Sequence, residues 1–130
     1  MTYVKKRLTE IRANPALGRR PKRASFRKRV SLAAQFLTAL GNDKRLLTVM
    51  HVIHGERTVS DLLSIAGGSQ HSLSQHLALL VERGILESRA EGTWRYYSCK
   101  SEDARAIIRL LDELARNQII PTRIDVPPRP

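Results

Sequence analysis

The chain has a single cysteine, Cys99, so no disulfide can close within it, and the cross-linked framework of a small secreted domain is excluded. A lone thiol fits a reducing compartment, and a cytoplasmic protein is expected. No apolar run approaches the roughly 18 residues needed to cross a bilayer, and no signal-peptide core is visible, so no membrane partner is expected. There are only four histidines, and none stands in a Ser/His/Asp or Cys/His arrangement; no pair of carboxylates stands out either. An enzyme is therefore not expected. No internal repeat is present. Acidic residues are nearly missing from one end: residues 1–29 hold eleven Lys/Arg against Glu10 alone, a balance of +10. The rest of the chain holds twelve bases and eleven acids, so almost all of the net +11 belongs to this segment.

A segment so charged, interrupted by Pro15 and Pro21 and poor in large apolar residues, repels itself and buries little. Residues 1–29 are expected to form a basic, disordered N-terminal arm that orders on a polyanion, nucleic acid first among them. A solubilising tail or a start-site artefact would have the same composition. The arm lacks the Ser richness and amphipathic face of a transit peptide. Residues 118–130, with Pro121, Pro127, Pro128 and Pro130, read as a disordered tail. What remains, residues 30–117, has the length of one domain with a modest core.

Within that domain the apolar spacing predicts mainly α structure with a small β-hairpin. Leu32, Ala33, Phe36, Leu37 and Leu40 give a first helix over residues 30–40, stopped at Gly41. Asn42 caps a second helix that carries Leu46, Leu47, Val49, Met50, Val52 and Ile53 and stops at Gly55. Thr58 and Asp61 have the spacing of a capping box and open a short third helix, which Gly67 and Gly68 end. Ser69 then caps a helix running to about Arg83. Residues 85–89 and 93–97, rich in β-branched and aromatic side chains, form two strands joined around Glu91 and Gly92. A last amphipathic helix covers residues 101–117, with Ala104, Ile107, Ile108, Leu111, Leu114 and Ala115 along one side.

The helix after Ser69 is the most informative element. With Leu73 at zero on a helical wheel, Leu77, Leu80 and Val81 share its side, while His71, Ser74, Gln75 and Ala78 fall opposite. One face packs, and the other presents donors and acceptors of the length that reads base edges in a major groove, where Gln can pair bidentately with adenine. An ordinary solvated face is the plainer reading of the same residues. His76 lies on the flank of the apolar stripe and is expected to be half-buried. A polar-faced helix leading straight into a hairpin is the layout of a winged helix-turn-helix. Gln70, His71, Ser74 and Gln75 are the expected base readers, and Ser69, Ser72, Arg89 and Arg95 the expected phosphate contacts, the two arginines flanking the hairpin. Gly68 offers no side chain to staple onto Leu73, and if its φ is negative, Gly68→Leu should be stabilising.

The motifs Leu37-Thr38-Ala39-Leu40-Gly41-Asn42, Lys44-Arg45-Leu46-Leu47, Ser69-Gln70, Leu73-Ser74-Gln75-His76-Leu77 and Gly92-Thr93-Trp94-Arg95-Tyr96-Tyr97-Ser98 follow one another at family spacing. Residues 30–117 thereby resemble the ArsR/SmtB family of winged-helix repressors, most closely its NolR-like and BigR-like branches. The resemblance implies a homodimer joined through the first and last helices, with two recognition helices in successive major grooves of a pseudo-palindromic double-stranded DNA operator. It also implies which sensing chemistries to look for. Thr58 and Ser60 stand where many members carry a Cys-x-Cys metal site, the last helix has no His, and Met50 occupies the position of one of two sensing cysteines. His51 and His54 have no evident third ligand. The expectation is a repressor without metal or other cofactor. The alternatives are release by an unknown ligand or by modification of Cys99, or an RNA-associated protein in which the basic arm dominates.

Overall fold

The computed structural model describes residues 2–13 and 25–118. It contains α1 (Thr2–Ala13), α2 (Phe26–Leu40), α3 (Asp43–Val52), β1 (Arg57–Thr58), α4 (Val59–Ala66), α5 (Gln70–Glu82), β2 (Glu87–Glu91), β3 (Trp94–Ser98) and α6 (Glu102–Arg116). Backbone packing divides the chain into two units, residues 1–38 and residues 39–130.

Two described segments of the first unit are helical where residues 1–29 were expected to form a disordered arm. Residues 2–13 are helical, and the next helix begins at Phe26, four residues ahead of Val30. Local chemistry supports both. Glu10 lies 3.9 Å from Lys6 and 3.7 Å from Arg7, one turn back on the same face, and Thr9 Oγ1 donates to Lys5 O at 3.0 Å. Ser25 is the cap that the composition argument overlooked: its hydroxyl accepts from Lys28 N at 3.1 Å, and its carbonyl accepts from Arg29 N at 2.9 Å. Residues 14–24 and the Pro-rich tail beyond residue 118 lie outside the described residues.

The second unit is built around Val49, Val52, Leu62, Leu77, Leu80, Ile85, Leu86 and Ile108, each no more than 2% exposed. These come from α3, α4, α5, the segment leading into the hairpin and α6, so a single core joins these four helices. Each helix start is fixed by a short polar side chain, which satisfies one of the otherwise unpaired N–H groups of the first turn. Asn42 Oδ1 accepts from Arg45 N at 3.1 Å, Ser69 Oγ from Ser72 N at 3.1 Å, and Ser101 Oγ from Ala104 N at 3.1 Å. Thr58 and Asp61 close the capping box in both directions, at 3.2 and 3.1 Å, and the Thr58 N–H bond holds the Asp61 carboxyl below its ordinary range.

The sheet has three strands rather than the expected two, in the order β1-β3-β2, all antiparallel. β1 was missed because two residues make no periodic signal. It exists only by pairing Arg57 with Tyr97 and Thr58 with Tyr96. The hairpin strands also sit later than expected. Ile85 and Leu86, 1% exposed each, fill the core before the ladder begins at Glu87. Glu91 pairs with Trp94 across a two-residue turn, and Gly92 takes φ +62° in its first position, the sign that a type II′ hairpin requires there.

Candidate nucleic-acid interface

α4 and α5 form the helix-turn-helix, and the link between them is made of glycine for a steric reason. Gly67 and Gly68 have φ +71° and +77°, consecutive positive-φ conformations that an L side chain resists. The condition attached to Gly68→Leu is therefore not met, and the missing staple is explained: a side chain at residue 68 would cost more than it packs.

α5 divides its two faces as the wheel predicts. Leu73, Leu77 and Leu80 are 3%, 0% and 0% exposed and anchor the helix on α3 and α4. Ser69, Gln70, His71, Ser72, Ser74 and Gln75, six of the eight expected site residues, are all exposed and lie within the first two turns or at the cap. Ser69 Oγ spends its acceptor on Ser72 N, which leaves its O–H free to donate. The remaining N–H groups of the first turn point the same way, with the positive end of the helix dipole behind them.

The two wing arginines are not equivalent. Arg89 is held by carboxylates: Nε donates to Glu56 Oε2 at 2.8 Å, Nη2 to Glu56 Oε1 at 3.2 Å and Nη1 to Glu91 Oε2 at 2.7 Å. Its guanidinium also lies 4.5 Å from the ring centroid of its cross-strand partner Tyr96. The hydrogen bonds from Arg89 hold the Glu56 carboxyl below its ordinary range, and the bonds to Glu56 and then Glu91 raise the Arg89 pKa in turn. The expected phosphate contact is thus engaged within the protein, through Glu56 on a segment 33 residues away. Arg95 is exposed, and its Nη1 donates to the Ser88 hydroxyl at 3.2 Å.

His76 is half-buried, as its place on the wheel implies. Its Nδ1 lies 3.3 Å from Arg45 Nη1, while Arg45 Nε donates to Ala39 O at 2.6 Å. An arginine has no lone pair to offer, so Nδ1 accepts and the imidazole carries its proton on Nε2. Burial first, then the charges of Arg45 and Lys44, push the His76 pKa below 6.5 and favour this neutral form. His76 thereby ties α5 to the start of α3, a role that spacing alone did not disclose.

Thr58 uses its hydroxyl in the capping box. His51 is on α3, whereas His54 lies past its end in the turn that closes at Gly55. Among the described residues, no three His, Cys, Asp or Glu side chains cluster to hold a metal ion, and no helix is long and apolar enough to cross a membrane. Cys99 is buried, 5% exposed, and burial raises its thiol pKa.

No family model matches the chain. Similar proteins are found both among curated sequences and among solved structures. The putative arsenical resistance operon repressor ArsR2 of Halobacterium salinarum is 35% identical over 85 residues, covering 64% of this chain and 71% of that protein. The crystal structure of NolR from Sinorhizobium fredii superposes with a TM-score of 0.63 at 34% identity, over 72% of this chain and 95% of that one. The homodimeric winged helix-turn-helix DNA-binding domain of Mb0332 from Mycobacterium bovis superposes with a TM-score of 0.66 at 30% identity, over 74% and 91%. A helix-turn-helix with an exposed polar face, a β-hairpin wing and relatives of this extent agree: the chain belongs to the ArsR family of winged helix-turn-helix transcriptional regulators, which are DNA-binding proteins and not enzymes.

Proposed function

We propose that the chain is a homodimeric repressor that occludes a promoter by binding a pseudo-palindromic operator in double-stranded DNA, that it works in the cytoplasm, and that it needs no metal. The observation that carries this reading is α5. Three buried leucines fix one face, and Gln70, His71, Ser74 and Gln75 stand exposed on another, rigidly presented and followed by a wing. Gln70 and Gln75 are long enough for bidentate pairing with adenine, and His71 and Ser74 complete the row of base readers. Ser69 and Ser72 at the helix start contact phosphate. Arg95 reaches phosphate from the wing as it stands, whereas Arg89 does so only by giving up Glu56 or Glu91, which makes it the weaker contact.

Dimerisation is supported by apolar surface that a single copy leaves in water. On α2, Phe26, Val30, Leu32 and Leu37 are 73%, 49%, 51% and 61% exposed, and on α6, Ile107 and Leu110 are 42% and 38% exposed. Each helix offers such a face to a second copy. Two copies then bring two α5 helices to half-sites one turn of DNA apart. Metal independence is supported by Thr58, whose hydroxyl serves the capping box, and by Cys99, whose burial also argues against a thiol switch. The basic residues of the first unit add sequence-independent attraction to phosphate.

Selection of bound duplexes from a random pool, with structured RNA as competitor, tests the reading. An inverted-repeat consensus, retained when zinc, cadmium or arsenite is added at protein stoichiometry, is expected. Recovery of RNA in preference to duplex, or release of the duplex by metal, would overturn it.

A further inference from the structure

A cleft opens beside the proposed reading face. Ser60 and Leu63 of α4, Gln70 at the start of α5, and Thr93, Trp94 and Arg95 at the tip of the wing line a space of about 240 Å³. At roughly 30 Å³ per water in the liquid, this is room for about eight waters, the scale of a phosphodiester with part of its sugar. The walls suit such a group. Hydroxyls from Ser60 and Thr93 and the amide of Gln70 offer hydrogen bonds, while Leu63 and the Trp94 indole offer apolar surface.

Charge and exposure point the same way. Arg89 is neutralised by Glu56 and Glu91, but among the described residues Arg95 has no carboxylate within ion-pair distance and bonds only the Ser88 hydroxyl. Trp94 is 55% exposed, while Tyr97 in the same strand is 9% exposed. An indole kept in water at a hairpin tip, next to an uncompensated guanidinium, is a surface prepared for a partner both anionic and apolar. A DNA strand is such a partner, with charged phosphates and apolar sugar faces. A helix lying in the major groove has one sugar–phosphate strand along its edge, and beyond that strand lies the minor groove. The wing tip faces the start of α5 across this cleft, so it stands over that strand and the minor groove beyond it.

Resting on the duplex-binding reading above, we infer that the cleft seats one phosphodiester of the strand bounding the half-site, with Arg95 paired to it and Trp94 laid into the adjoining minor groove as an apolar wedge. Ser60 and Thr93 join the DNA-contacting residues. Arg89 braces β2 against the turn before β1, so that the wedge is held rather than hinged. Wedges of this kind open base steps, so the protein should prefer easily unstacked TA or CA steps beside the half-site, at positions that no α5 side chain reads.

Trp94 is the only tryptophan in the chain, so intrinsic fluorescence reports on it alone. The full-length protein is titrated with a fluorescein-labelled duplex recovered by selection. Anisotropy of the label follows binding, while Trp94 emission and its quenching by acrylamide follow the cleft. Loss of acrylamide access in step with binding is expected. Trp94→Ala should weaken binding about ten-fold at every salt concentration with an unchanged salt slope, and Trp94→Phe should recover most of it. Arg95→Ala should instead make the slope of log affinity against log salt shallower by about 0.9 per subunit. Far-ultraviolet circular dichroism of each variant should match that of the unsubstituted chain. Binding with Trp94 emission and quenching unaltered would overturn the cleft assignment while leaving the duplex reading intact. Absence of any duplex binding by anisotropy would overturn both.

Discussion

Replacing Gly68 by alanine isolates how the helix-turn-helix link is held. At φ +77° the backbone is left-handed, and a Cβ there costs about 1–2 kcal/mol relative to glycine. Removing glycine also restricts the unfolded chain, which returns about 0.4–1 kcal/mol. The added Cβ would lie 2.9 Å from Lys44 Nζ, but that is the mobile end of an exposed side chain and can swing aside. The backbone cost should dominate, giving a net loss of about 0.5–1 kcal/mol and a Tm lower by a few degrees in a domain this size. Gly67→Ala is the comparison: φ +71° with ψ −171° is a region that is essentially glycine's alone, so although nothing lies within 4 Å of its would-be Cβ, its loss should exceed that at residue 68. Gly68→Asn should be milder than either, because Asn tolerates this region better. Thermal unfolding at fixed protein concentration, read by circular dichroism, measures all three. An unchanged or higher Tm for Gly68→Ala would mean that the link is not left-handed, and the account of why α4 and α5 meet as they do would be wrong.

Three further outcomes are expected. His76 is held neutral, its pKa below the ordinary 6.5, so unfolding takes up a proton that the native state refuses: its contribution to stability is full above about pH 6.5 and falls as the pH drops below that value, and Tm measured against pH should flatten there in His76→Gln. Cys99, buried and with its pKa raised, should react with a disulfide reagent many times more slowly in the native protein than in denaturant, and diamide should leave duplex affinity unchanged; rapid native reaction accompanied by duplex release would restore the thiol-switch reading. Deleting residues 1–24 removes eight Lys/Arg and Glu10 per chain while keeping the Ser25 cap, and should weaken binding to selected and mixed duplexes alike; if each arm of a dimer neutralises three phosphates, the salt slope should become shallower by about 5, whereas an unchanged slope would make the arm a solubilising segment.

The features legible in the sequence were those whose cause is local. Asn42, the Thr58 and Asp61 pair and Ser69 announce helix starts because each bonds a backbone N–H two or three residues on, and the Leu73, Leu77 and Leu80 spacing fixes which side of α5 is inward whatever it packs against. Ser25 belongs to the same class and was legible, but the dense positive charge around it drew the reading toward disorder, as it did for the helix over residues 2–13. Ile85 and Leu86 mimic a strand start because a buried apolar pair looks the same in either setting. Features that depend on distant partners left no local mark. β1 needs Tyr96 and Tyr97, Arg89 finds Glu56 33 residues away, and His76 meets Arg45 31 residues away. For the site this means that the exposed polar face of α5 was legible residue by residue, while the unequal surroundings of the two wing arginines, and the cleft that one of them lines, were not.

The central claim is that the exposed face of α5 reads base sequence, and Gln75 tests it most directly. The affinities of the unsubstituted protein and of Gln75→Ala are measured at one salt concentration, each for a selected duplex and for a mixed-sequence duplex. The substitution should cost about 1–3 kcal/mol on the selected duplex and almost nothing on the mixed one, because it removes a base contact and no charge. Equal losses on both duplexes, or an unsubstituted protein with no preference between them, would contradict the claim.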